Sequence, residues 1–379
     1  MFKEIIKTFS FLTVFCMLPG LVNAAPSISA AVPVTTFSHE GVVNISGSGF
    51  GVKSQPAPLQ WDSVGGQISY AGLNNGDVIP FGADKPWMDF EGECPAYYKN
   101  TNLRGKAMAN YSNQWNINPT CYGKATIGGN DYPSASDKLY LSWWIFVGGP
   151  AENPDTSSNK FIRLTASNGW DSGNPNAFGY FFDESHSQLF DMDGLYYNSV
   201  WGGFGSWGVW QRIEVIVDNM NLPQRPRIQT LSNNSTLYDY YPGKLNSCSI
   251  GSCASVSTSL PLTKIGTLGY DDSGTGSGNP TPTVDWGEIY VDNTLQRVEI
   301  CNASTKAASN HCEIQIPQAT WIDVQIQIKV NQGSFADGST QYLYVMDVNG
   351  NTNANGHAVS FAGSSDLIAP SAPQGLSVI

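Results

Sequence analysis

The sequence predicts an all-β protein, and three observations carry that prediction. Runs rich in β-branched and aromatic residues recur along the chain, bounded by clusters of Gly, Asn, Asp, Ser and Pro. WIDVQIQIKV (321–330) alternates almost strictly, as a strand with one buried and one wet face does. No window combines a 3.6-residue hydrophobic period with helix caps.

In chain order the runs are GVVNIS (41–46), KLYLSWWIFV (138–147), KFIRL (160–164), WQRIEVIVD (210–218) and VDWGEIYV (284–291). RVEI (297–300), EIQI (313–316), WIDVQIQIKV and QYLYVMD (341–347) follow. GYDDSGTGSGNPTPT (269–283) and DVNGNTNANG (347–356) read as turns or long connections, because Gly and Asn accept the backbone angles that turns require. GPAENPDTSSN (149–159) reads as an exposed loop.

Composition narrows the function. Charged residues make up 13% of the 379, against about 25% in an average soluble domain, which excludes coiled coils and long solvated helices. A hydrophobic content of 41% argues against intrinsic disorder. The formal net charge of -12 repels a phosphate backbone, so nucleic acid is not an expected partner, nor is an anionic membrane surface.

Residues 1–24 read as a secretory signal. Lys3 and Lys7 supply the positive start, and Phe9–Val22 is apolar but short and broken by Pro19 and Gly20. Val22-Asn23-Ala24 is a small-residue cleavage site, so the expected location is extracellular or on the cell surface, without membrane insertion. Six cysteines follow the leader, an even number that in an exported chain points to three disulfides. Local spacing favours Cys94–Cys121, Cys248–Cys253 and Cys301–Cys312, among the several connectivities that six cysteines allow. A zinc site is not expected: no CxxC occurs, and His39, His186, His311 and His357 are scattered.

The length exceeds one ordinary hydrophobic core, so two domains are expected. GVVNISGSGFGVK (41–53) resembles the opening of an IPT/TIG-type immunoglobulin-like domain, with Gly47, Gly49 and Gly51 allowing positive φ and Phe50 plugging the core. The strands after residue 297 resemble the rest of such a domain. Between them, KLYLSWWIFV, NKFIRL, WQRIEVIVD, IGTLGYDD and VDWGEIYVDNT follow an order similar to that of a concanavalin A-like (laminin-G/heparin-lyase-like) jelly roll.

The implied division is a signal at 1–24, immunoglobulin-like pieces at 25–60 and 297–364, a jelly roll at 61–296, and a Pro-containing tail at 365–379. Inserting one domain into a surface turn of another costs little when its ends lie close together. Tandem β domains meeting near residue 300 are the alternative.

The resemblance admits lectins, lyases and hydrolases alike, because a jelly roll alone does not set an activity. No ExDxxE hydrolase strand occurs, and Asp285 and Glu288, three apart, would fall on opposite faces of a strand. A polysaccharide lyase would draw on Arg163, His186, Arg212 and Tyr180, but the R-x-E-x-R and Q-x-H strands of alginate lyases are missing.

Aromatic stacking is better supplied. The glycine-laced YYNSVWGGFGSWGVW (196–210) holds Tyr196, Tyr197, Trp201 and Trp207, and Trp170 sits in a similar context. Flat aromatic faces stack on the C–H faces of sugar rings, so these five are the candidate ligand-binding residues. Trp210 is expected in the core as the first residue of its strand. Asp191, Asp193, Asp271 and Asp272 could supply oxygen ligands to a structural calcium, with no other cofactor expected.

The sequence therefore favours a secreted, non-catalytic carbohydrate-binding protein. Its alternatives are a lyase or hydrolase of the heparin-lyase-like type and an adhesive surface protein that binds protein partners.

Overall fold

The computed structural model describes residues 24–32, 36–82, 87–91, 96–112, 124–127, 138–148, 160–165, 178–183, 186–191, 196–201, 208–218, 227–240, 264–268 and 283–362. The chain begins with β1 (Ser27–Val32) and β2 (Val42–Ser48), then enters a long middle segment. That segment opens with β3 (Gln60–Asp62), β4 (Trp87–Glu91), β5 (Tyr97–Lys99), β6 (Asn110–Ser112) and β7 (Lys124–Ile127). It continues through β8 (Lys138–Gly148), β9 (Lys160–Thr165), β10 (Phe178–Asp183), β11 (His186–Asp191) and β12 (Tyr196–Trp201). It closes with β13 (Trp210–Asp218), β14 (Arg227–Ser232), β15 (Ser235–Tyr240), β16 (Lys264–Leu268) and β17 (Thr283–Asp292). The chain returns through β18 (Arg297–Cys301), β19 (Cys312–Ile314), β20 (Ile316–Ile322), β21 (Gln325–Lys329), β22 (Thr340–Met346) and β23 (His357–Ser360). The described residues contain no α-helix, as the missing 3.6-residue period implied.

Two four-stranded sheets, ordered β1-β2-β21-β20 and β19-β18-β22-β23, form a small immunoglobulin-like β-sandwich drawn from both ends of the chain. Val43, Ile45, Val298, Ile300, Ile326, Ile328, Leu343 and Val345 alternate into one core with Phe50 and Trp321. Phe50 is fully buried, and its carbonyl accepts the Trp321 indole N–H at 3.2 Å. Gly49 and Gly51 have φ of +72° and +68°, so the turn requires them as expected. Gly47 does not take a positive φ. It is required instead by space, since a Cβ there would lie 2.0 Å from the Ser27 carbonyl oxygen and 2.5 Å from the Phe50 ring.

WIDVQIQIKV is not one strand. It folds back at Asp323-Val324 into the β20–β21 hairpin, with Ile322 opposite Gln325. The turn is held by β2 and its extension: Gly47 N–H donates to the Val324 carbonyl, and Gly51 N–H to the Asp323 carboxylate at 3.0 Å. EIQI is also divided. The chain changes sheets at Gln315, whose buried side chain donates to the Glu313 and Asn331 carbonyls and accepts from Asn331 N–H. These bonds replace the ladder that the crossing interrupts.

The middle segment forms a jelly-roll β-sandwich with a seven-stranded sheet, β12-β11-β10-β9-β16-β7-β4, and an eight-stranded sheet. The latter runs β15-β14-β13-β8-β17-β6-β5, with β3 also pairing to β17. One face of the eight-stranded sheet is apolar: Leu141, Trp143 and Ile145 of β8 lie in rows with Val215, Ile213, Val291 and Trp286. Its other face carries Ser142, Trp144, Arg212 and Glu214, and this polar face is also buried. Burial on both faces explains why KLYLSWWIFV reads as a continuous apolar run rather than an alternating one.

Candidate functional site

The polar face of the eight-stranded sheet packs on β18 and β19 of the smaller sandwich, and charges fill the seam. Arg212 donates to the Glu299 carboxylate at 2.8 Å, to Glu214 at 3.2 Å, to the Tyr140 hydroxyl at 2.7 Å and to the Cys312 carbonyl at 3.2 Å. Arg297 and Lys306 also donate to Glu299. Burial pushes the Glu299 carboxyl up, but Lys306, Arg212 and Arg297 outweigh it and hold it well below the usual carboxylate range.

Arg212, considered above as a lyase residue, is thus sealed inside the molecule as the centre of an ion network. Glu299, Cys301 and Cys312 bring potential metal-ligand atoms together. The two sulfurs, however, are bonded to each other in the Cys301–Cys312 disulfide and are not free thiolates.

A cleft of about 600 Å³ opens along one end of this seam. Strands β8 and β13 and the β14–β15 hairpin supply Trp144, Trp210, Asn233 and Ser235 on one side. Asn310, His311 and Ser334 of the smaller sandwich line the other. Trp144 stands beside Arg212 in register, and Trp210 beside Phe146, so both indoles belong to the polar face. Trp210 is half-buried and tilts against Phe146 with ring centroids 5.7 Å apart. Trp144 is nearly covered: the Arg104 guanidinium lies 3.8 Å over its ring, and the His311 ring meets it edge-on at 5.5 Å.

Arg104 is neutralised in place, pairing with both Glu288 and Glu313. Burial raises the Glu313 carboxyl, but the Arg104 charge and the hydrogen bonds from His311 and Arg104 bring it down to about 2. The His311 Nε2 atom lies 2.7 Å from Glu313 and 3.3 Å from the Ser334 hydroxyl. Both contacts use the same ring nitrogen. His311 is therefore not placed to pass a proton between them, as a serine–histidine–acid triad would require through its two nitrogens. The cleft offers stacking surface, amides and hydroxyls, with its one arginine already paired.

Sequence reasoning assigned Trp210 to the core and did not single out Trp144 or His311. A usable signal was present: Trp210, Arg212 and Glu214 alternate on one strand face, and a face carrying two charges cannot be an ordinary apolar core.

The other candidates fall elsewhere. Arg163, Tyr180 and His186 belong to β9, β10 and β11. Arg163 pairs with Phe181, Phe181 with Gln188, and Tyr180 with Leu164 and Leu189. Arg212 belongs to β13 of the other sheet, where it is buried against Glu299. Tyr196, Tyr197 and Trp201 lie on β12, an edge strand of its sheet among the described residues, with Trp201 opposite His186 in register. Asp191 ends β11. Trp170, Trp207, Asp193, Asp271, Asp272, Cys94, Cys121, Cys248 and Cys253 lie outside the described residues. No helix among the described residues is long and apolar enough to cross a membrane.

Fold and cleft together define a class, a two-sandwich all-β protein with an aromatic seam cleft. No known protein family matches the sequence, and no curated protein matches it. Among solved structures, the cellulose induced protein Cip1 is similar at 13% identity and a TM-score of 0.35, over 55% of this chain and 91% of that one. The Emp46p carbohydrate recognition domain is similar at 11% identity and a TM-score of 0.31, over 55% and 88%. The T. cruzi calreticulin globular domain is similar at 7% identity and a TM-score of 0.34, over 53% and 79%. Likenesses this distant carry no argument about ligand or activity.

Proposed function

We propose that the protein is a secreted, non-catalytic carbohydrate-binding protein, and that the seam cleft holds a neutral, hydroxyl-rich glycan. The observation that carries this reading is the half-buried Trp210, set among Asn233, Ser235, Asn310 and Ser334 in a cleft of about 600 Å³. An indole face stacks on a pyranose ring while amides and hydroxyls fix its orientation. The pairing of Arg104 with two carboxylates leaves it no charge to offer a uronate, which supports a neutral ligand. The test is a glycan array probed with the mature protein and its Trp210→Ala variant. Binding to neutral glycans that the variant loses supports the reading; binding unchanged by the substitution defeats it.

The same reading treats residues 25–60 and 297–364 as one interrupted domain of the IPT/TIG kind, with residues 61–296 inserted. Pairing of β2 with β21, and one core shared by strands from both chain ends, support that division. Residues 1–24 act as the export signal, and N-terminal sequencing of the secreted protein beginning at Ala25 is the expected result. Structural calcium at Asp191, Asp193, Asp271 or Asp272 remains a proposal that calcium titration of thermal stability tests.

A further inference from the structure

Lys53 and Asp292 mark the neck of the molecule. Lys53 follows β2, where the chain leaves the smaller sandwich, and Asp292 ends β17, where it returns. Although 239 residues separate them, the Lys53 ammonium and the Asp292 carboxylate are in direct contact. Lys53 is 6% exposed and Asp292 1%.

Neither side chain is paired with any other charged group among the described residues. The Trp321 ring covers Lys53, its centroid 5.4 Å from Nζ, and the Pro56 carbonyl accepts from Nζ at 3.0 Å. The Tyr290 hydroxyl donates at 3.0 Å to Asp292 Oδ2, the same oxygen that Lys53 touches.

We propose that Lys53 and Asp292 become joined by an intramolecular amide bond. Burial is the physical reason. An isolated ion pair in a poorly hydrated site is costly, and moving the proton from nitrogen to oxygen leaves a neutral amine beside a neutral acid. Burial lowers the Lys53 amine and raises the Asp292 carboxyl, each against the pull of the other's charge, and both shifts favour that neutral pair.

The Lys53 Nζ lone pair then adds to Asp292 Cγ, and the Cγ–Oδ2 bond breaks. Oδ2 departs as water, carrying the carboxyl proton and one amine proton, and the Tyr290 hydroxyl bonded to that oxygen stabilises its departure. One N–C bond forms, one C–O bond breaks, and nothing is oxidised or reduced. The link would close the whole middle segment into a covalent loop, so tension between the chain ends would bypass the larger sandwich. This inference does not depend on the cleft's ligand.

The experiment is mass spectrometry of the purified mature protein, first intact and then as reduced proteolytic peptides. The expected result is an intact mass lower by one water, together with a branched peptide joining the segments around Lys53 and Asp292. Lys53→Arg should show the full mass and no branched peptide. Separate, unmodified Lys53 and Asp292 peptides from the wild-type protein would overturn the proposal, and that outcome does not depend on whether the variant folds. Loss of water without the branched peptide would overturn it equally, because dehydration at another aspartate gives the same mass.

Discussion

Arg212 of β13 and Glu299 of β18 meet at 2.8 Å in the seam between the two sandwiches, and both are sealed from solvent. The contact joins strands 87 residues apart in sequence. A buried pair of this kind is weak evidence of net stabilisation, yet breaking it strands a charge. Replacing Arg212 with Ala leaves Glu299 with Arg297 and Lys306 but removes the donor to Glu214, Tyr140 and the Cys312 carbonyl. The expected loss is about 3–5 kcal/mol, read by denaturant unfolding. A loss below about 1 kcal/mol would show that the seam is hydrated or loosely packed.

Asp62 gives the fold a pH dependence of definite sign. Burial pushes its carboxyl up to about 6 from an ordinary 3.8, against hydrogen bonds from Tyr111, Val64 N–H and Gln67. The folded state therefore holds a proton that the unfolded chain releases. Its contribution is fully present below the unfolded value and is lost as pH rises through about 6. Relative to an Asp62→Asn variant, wild-type stability should fall by about 3 kcal/mol as pH rises from below the unfolded value of 3.8 to above the folded value of about 6, then level off. Unfolding free energies of both proteins across that range check it; parallel curves would contradict it.

Gly47 tests the packing of the smaller sandwich. Gly47→Ala would press a Cβ on the Ser27 carbonyl and the Phe50 ring, and should cost about 1–3 kcal/mol or more. Thermal unfolding reads the loss, and no change would mean that β1 can move away from β2.

The Cys301–Cys312 bond closes a separation of 11 residues. Replacing both cysteines with serine should cost about 2–3 kcal/mol in the chain-entropy account, and reductant should then have no further effect on the Cys301–Cys312 region. Limited proteolysis around Lys306–Ala308 with and without reductant checks that local consequence.

The strands were legible because β-branched and aromatic runs need little context to declare themselves. β8, β13, β17 and β22 fall where the runs fall. The hairpin at Asp323-Val324 was hidden, because a tight turn at this point preserves the alternation of Ile326 and Ile328 and carries no glycine or proline. Its cause is non-local: Gly47 and Gly51 donate to it from the other end of the chain.

Arg212 was misplaced for a related reason. A charged strand face reads as solvent or as a catalytic cleft unless a second sandwich is known to cover it. Trp210 was misread in the opposite direction, since its strand was legible while its face was set by Arg212 and Glu214. The Cys301–Cys312 pairing was legible because only local spacing was needed.

The proposed role of the cleft beside Trp210 is to bind a neutral glycan without turning it over. The most direct measurement is a titration of the mature protein against neutral and uronic-acid-containing oligosaccharides, following both binding and the ultraviolet absorbance of unsaturated products. The expected result is saturable binding to a neutral oligosaccharide, a loss of at least about tenfold in affinity for Trp210→Ala with unfolding free energy little changed, and no accumulating product. Binding that survives Trp210→Ala, or steady formation of unsaturated uronate product, would contradict it.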